Sequence, residues 1–178
     1  MRRFIFILFI IISNLNAAGQ PLTFEKKIDF FQLTTGLRIY NYDTTYYLLA
    51  GNCNGSLCTF PVHIISLNSN GDTIKTSNYC GGLPMSLVKH VDGYGYTIGY
   101  RAGGTCSNTS GATGNFGLIR IDNQFDTLWT SYDTTNLTQK MYCMCRLKGG
   151  DYFMAGFESL ARADSNGVFK WTKSYYGD

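Results

Sequence analysis

The sequence predicts an all-β fold: an incomplete β-propeller of about three four-stranded blades, preceded by one outer strand. Three observations lead there. Tyr, Phe, Thr and Ile are abundant, with 13 Tyr and 12 Phe in 178 residues, and such side chains fit a pleated, half-buried surface. A four-strand cadence recurs three times along the chain. Each copy closes on the same Asx-centred turn, which suits a tight hairpin because Asn and Asp bond their own backbone and Gly accepts positive φ. Helix-favouring runs are absent after the first twenty residues.

The first 19 residues are expected to be a secretory signal peptide, outside the fold. Two arginines precede an apolar run from Phe4 to Ile12, and small residues follow near Ala17, Ala18 and Gly19; that order marks a cleaved leader. The apolar run is short for a bilayer core of about 30 Å, so the membrane enters only through export. Removing Arg2 and Arg3 from 15 basic residues leaves 13 against 12 acidic ones, a net charge of +1. Lys26–Lys27 is then the only adjacent basic pair. A nucleic-acid partner is excluded on that ground, because binding one requires a basic face.

Residues 20–178 form the repeat region, with blades expected at about 36–81, 83–133 and 140–178. Thr23–Lys26 reads as the leading outer strand, since it resembles Lys170–Lys173 without a hairpin partner. Each blade opens on an alternating strand and a turn: LRIYNYD, SLVKHVDG and MYCMCRLKGG. An aromatic strand ending in Gly51, Gly99 or Gly156 follows. After a loop of variable length comes a hairpin: IISLNSNGDTIKTSNYCG, LIRIDNQFDTLWTSYD or LARADSNGVFKWTKSYYG. Aligned on the turn, Asn68, Asp122 and Asp164 coincide, as do Lys75, Trp129 and Trp171. Four short strands per unit of 40–57 residues match propeller blades, and stacking is needed because one blade cannot bury both its faces.

These repeats resemble those of exported bacterial proteins whose arrays read roughly DGGYILAG…LIKLDSNGDTLWTKTYGG and commonly end in a type IX secretion sorting domain. GGDYFMAGF (Gly149–Phe157), DSNGVFKWTKSYYG (Asp164–Gly177) and LIRIDNQFDTLWTSY (Leu118–Tyr132) carry the likeness, which covers most of residues 23–178. The resemblance implies a propeller fold and a secreted or outer-surface location. It specifies architecture rather than activity. The chain shows neither further blades nor a sorting domain, so it is expected to be the N-terminal part of a longer array. Its uncovered blade faces predict self-association, including two copies closing into a six-blade ring.

Residues with chemical potential are few. Six cysteines in an exported chain allow 15 disulfide connectivities, and the local pair Cys53–Cys58 is the expected bridge. The turn at Asp164 and Asn166 offers alternating oxygens of the kind calcium takes, but it has no following bidentate Glu and reads first as hairpin chemistry. No cofactor is otherwise expected. Trp129 and Trp171 repeat at one blade position and read as packing between blades rather than as sugar-stacking platforms. His63 and His90 fall in predicted strands with no nucleophile motif beside them. Only two Glu occur, Glu25 and Glu158, and no carboxylate pair suits glycoside hydrolysis. Enzymatic activity is therefore not expected.

The loops after Gly51 and Gly99 are the expected ligand-binding surface, with Asn54, Arg101 and Asn108 as candidates, because loops on one end of such arrays often bind. The sequence-level reading is a secreted, non-enzymatic binding or adhesion scaffold for a macromolecule or glycan. The alternative is a propeller-based extracellular glycan hydrolase with its catalytic residues elsewhere.

Overall fold

In the computed structural model, residues 34–52, 61–102, 116–135 and 141–175 are described. They form three four-stranded antiparallel sheets in simple meander order. The first blade contains β1 (Thr34–Tyr42), β2 (Thr45–Asn52), β3 (Pro61–Leu67) and β4 (Thr73–Cys80). The second contains β5 (Gly82–Lys89), β6 (Tyr96–Ala102), β7 (Phe116–Ile121) and β8 (Thr127–Tyr132). The third contains β9 (Met141–Arg146), β10 (Tyr152–Gly156), β11 (Ser159–Ala163) and β12 (Phe169–Ser174). The sheets do not close into a ring, and the architecture is an incomplete propeller. The expected leading strand at Thr23–Lys26 lies outside the described residues.

The side-chain period of two explains how blades stack. In β6, Tyr96, Ile98 and Tyr100 face the first blade and meet Tyr47, Leu49, Val62 and Ile64 in one buried cluster. Thr97 and Gly99 face the third blade. On that side Met85, Phe116 and Leu118 pack against Met141, Met144, Tyr152 and Met154. The second blade is thus buried on both faces, which is why all six residues of β7 are buried. At the array's ends, Leu48, Ile65 and Leu67 form a small buried cluster on the first blade's other face. The third blade's far face holds Phe153 edge-on to Trp171, with centroids 6.0 Å apart.

β1, β5 and β9 are edge strands, each hydrogen-bonded to one neighbour only, so half their backbone groups need other partners. Side chains of adjacent blades supply some of them. Tyr42 Oη donates to Leu87 O at 2.8 Å and Tyr40 Oη to Met85 O at 3.5 Å. Ser86 Oγ donates to Met144 O at 3.2 Å and accepts from Met144 N at 3.3 Å.

The recurring hairpin turn has a common backbone. In each, the Asx residue's amide donates across the turn and its carbonyl accepts from the residue three positions on: Asn68 with Asp72 and Gly71, Asp122 with Asp126 and Phe125, Asp164 with Val168 and Gly167. That third residue has positive φ: 79° at Gly71, 64° at Phe125 and 83° at Gly167. This is the three-residue hairpin loop in which a left-handed residue closes a type I turn.

Candidate functional site

The two ends of the stack differ in kind. Asn52 pairs with Thr34 and Ala102 with Gly82, so β2 and β6 both finish at the end opposite the Asx-centred turns, the end that also carries the third blade's Phe157–Glu158 turn. At the turn end, Lys89 pairs with Asp43 across the first and second blades, and Lys75 Nζ donates to Gln124 O. Ser131 Oγ donates to Gly167 O at 2.6 Å across the second and third. Each contact ties a turn of one blade to a strand of a neighbouring one, and the strand ends Asn52 and Ala102 lie at the other end of their sheets.

Of the sequence-predicted site residues, Cys53, Cys58, Asn54 and Asn108 lie outside the described residues. Arg101 is half-buried in β6, level with Leu83 and Phe116. Cys80, at the end of β4, is disulfide-bonded, with its partner outside the described residues. Cys143 and Cys145 are free and exposed on one face of β9.

Trp129 projects from β8 toward the third blade. Its ring lies edge-on to Tyr152 at 6.4 Å and so close over Gly167 that a Cβ there would sit 2.5 Å from the indole. Trp171, its counterpart one blade on, meets Phe153 of its own sheet and the Lys173 ammonium, 5.8 Å from the ring. At the Asp164 turn, Asp164 Oδ1 accepts from Asn166 N and Val168 N, each at 3.0 Å. That carboxylate oxygen serves the turn's own backbone. Among the described residues no group of three or more His, Cys, Asp or Glu side chains is placed to hold a metal.

A buried polar network lies between the second and third blades at the turn end. His90 immediately follows β5 rather than lying within a strand. Its Nε2 is 2.8 Å from Thr97 Oγ1 and 2.9 Å from Tyr152 Oη, and those two hydroxyls are 2.8 Å apart. All three residues are buried. Burial, then the Arg120 and Arg146 guanidiniums, pull the His90 pKa down to about 4, so the ring is neutral at pH 7. Burial raises the Tyr152 hydroxyl.

Neither arginine was singled out by sequence reasoning, although one trace was legible. Arg120 and Arg162 occupy the same place in LIRIDN and LARADS.

No protein-family model and no curated protein matches the chain. A crystal structure of a protein of unknown function from Bacteroides caccae is similar, with 11% identity and a TM-score of 0.47. The match covers 74% of this chain and 43% of that one, so the chain spans less than half the length of that neighbour.

Proposed function

We propose that the chain is a secreted or surface-displayed, non-enzymatic scaffold that binds a macromolecule or glycan through the end carrying connections 53–60 and 103–115. The observation that carries this reading is the asymmetry of the stack. At one end short hairpin turns are tied to strands of the neighbouring blade by Lys89–Asp43, Lys75–Gln124 and Ser131–Gly167 contacts. At the other end, the adjacent blades' strands β2 and β6 finish at Asn52 and Ala102, where the polar stretches 53–60 and 103–115 begin in the sequence. A rigid frame that presents variable loops together is the usual way such folds recognise partners. Asn54 and Asn108 stand in those connections, and Arg101 stands at the root of the second. Export rests on the Met1–Gly19 leader pattern, and the likeness to type IX cargo repeats is consistent with display at the outer surface.

Replacing 53–60 or 103–115 with a short Gly-Ser turn tests the reading. The mature chain is expected to bind one or more members of an immobilised polysaccharide and cell-wall protein panel, and either replacement is expected to abolish that binding while the β spectrum persists. Undiminished binding by both variants would refute it.

A further inference from the structure

At the turn end, the interface of the second and third blades gathers positive charge that the loop-end reading does not use. Arg120 is level with Thr97 in β6, and Arg146 is level with Tyr152 in β10. The Thr97 and Tyr152 hydroxyls meet across the interface, so the two arginines project into it from opposite sheets. Arg120 is 8% exposed. Its Nη2 donates to Tyr94 O, whereas Nη1 is buried with no partner. Arg146 Nε donates to Gly150 O at 3.2 Å. Among the described residues, no carboxylate ion-pairs with either guanidinium.

The repeat shows what is missing. Arg162 holds Arg120's position in the third blade, and Asp151 lies 2.8 Å from it while also pairing with Lys170. The position of Asp151 in the second blade is Gly95. No side chain can stand there, because its φ is +85° and a Cβ would run into the backbone of Ile121 and Asp122. Lys89 holds Arg146's position in the second blade, and it has Asp43. Two cations that have a carboxylate elsewhere in the array therefore lack one here. The nearby acids do not replace it. Asp92 Oδ1 accepts from Tyr94 N and Asp122 Oδ1 from Asp126 N, and both act on Arg120 only through space. An unpaired buried donor of a charged group is costly, and two adjacent guanidiniums repel each other.

We propose that Arg120 and Arg146 form a binding site for a small oxyanion, a carboxylate or a phosphate group, at the turn-end rim between the second and third blades. Guanidinium forks match such groups bidentately, and the free Nη1 of Arg120 supplies the buried donor. Arg146, half-buried, gives the site its solvent side, and the exposed residues Val91–Tyr94 run alongside. Bound charge would also offset the field that the two arginines impose on His90. This site is independent of the loop-end reading and can fail or stand without it.

The test uses the full mature chain. Inorganic phosphate and acetate are titrated separately, each against chloride at matched ionic strength. Thermal unfolding and the His90 ring resonances in NMR are followed. Saturable stabilisation by either anion, with an upward shift of the His90 titration, supports the site. Response to phosphate alone assigns a phosphate group, and response to acetate a carboxylate. Arg146→Gln is expected to weaken binding at least about tenfold, while Arg162→Gln, whose partner is Asp151, leaves it unchanged. An equal effect of chloride, no saturable effect, or a wild-type response from Arg146→Gln would overturn the proposal. Arg146 is half-exposed, so this variant decides the matter even if Arg120→Gln fails to fold.

Discussion

Phe125 offers a test in which two opposing effects can be separated. It holds the left-handed position that Gly71 and Gly167 hold in the other two hairpins, at φ 64°. For a residue with a Cβ this conformation costs roughly 1–2 kcal/mol. The ring offsets that cost. It is 6% exposed, packs with Tyr47 and Tyr96 at centroid distances of 6.3 and 6.4 Å, and lies under the Lys75 ammonium at 5.4 Å. Tyr79 Oη also donates to Phe125 O at 2.7 Å, and that bond survives any side-chain change. Truncating a buried Phe costs about 3–5 kcal/mol, so the ring outweighs the strain and both Phe125→Ala and Phe125→Gly should destabilise. Their order is the informative part. At ordinary backbone positions Gly is worse than Ala by about 0.5–1 kcal/mol. Here Ala keeps the left-handed strain and Gly sheds it, so Phe125→Gly should be the more stable by roughly 0.5–1 kcal/mol. Urea unfolding followed by Trp fluorescence, with midpoints compared at constant slope, measures the difference. Phe125→Ala equal to or more stable than Phe125→Gly would refute the assignment of strain to this turn. Wild-type stability in either would refute the packing role of the ring.

Further predictions concern the blade interfaces and pH. Trp129→Ala should cost about 2 kcal/mol and Trp171→Ala distinctly less, because the half-buried Trp129 packs on Tyr152 and Gly167 of the next blade whereas Trp171, among the described residues, has neighbours on its own sheet only; chemical denaturation of the two variants would show it, and equal losses would contradict it. Gly167→Ala should destabilise by more than the roughly 1–2 kcal/mol of left-handed strain, since its Cβ meets the Trp129 ring. Its cost should shrink in a Trp129→Ala background, and a double-mutant cycle that sums additively would count against the contact. His90 is held neutral when folded, so the unfolded chain binds the extra proton. Stability from this site is therefore full above pH 6.5 and is lost as pH falls toward about 4, by an amount on the order of 2 kcal/mol. His90→Asn should flatten that part of the stability profile, and an unchanged profile would show that another group is responsible.

The blades were legible because their two periods are local. Alternation in Tyr96–Tyr100 and the Asx turns at Asn68, Asp122 and Asp164 lie within single hairpins, where neighbours in sequence are neighbours in space. The direction of each face was not legible. Both faces of the second blade are apolar, so the pattern gives no sign that Tyr96, Ile98 and Tyr100 turn to the first blade while Thr97 and Gly99 turn to the third. The arginine cluster was hidden for a related reason. Arg120 and Arg146 belong to different repeat units, and only the stacking of sheets brings them together. His90 looked like a strand histidine because no turn residue separates it from the alternating run Ser86–Lys89, yet the hairpin with Gly95 begins at His90 itself, where its amide donates to Gly95 O. Phe125 contradicted the turn grammar, and the resolution lay in its burial between Tyr47 and Tyr96.

The second blade is enclosed by the other two, and that order sets which turns and which strand ends lie together. Native-state amide hydrogen exchange on the purified chain measures this directly. Slowest exchange is expected in β6 and β7, with faster exchange in β12 at the outer edge of the third blade, because opening the enclosed sheet requires separating two interfaces. Faster exchange in β6 and β7 than in the third blade would contradict the stack.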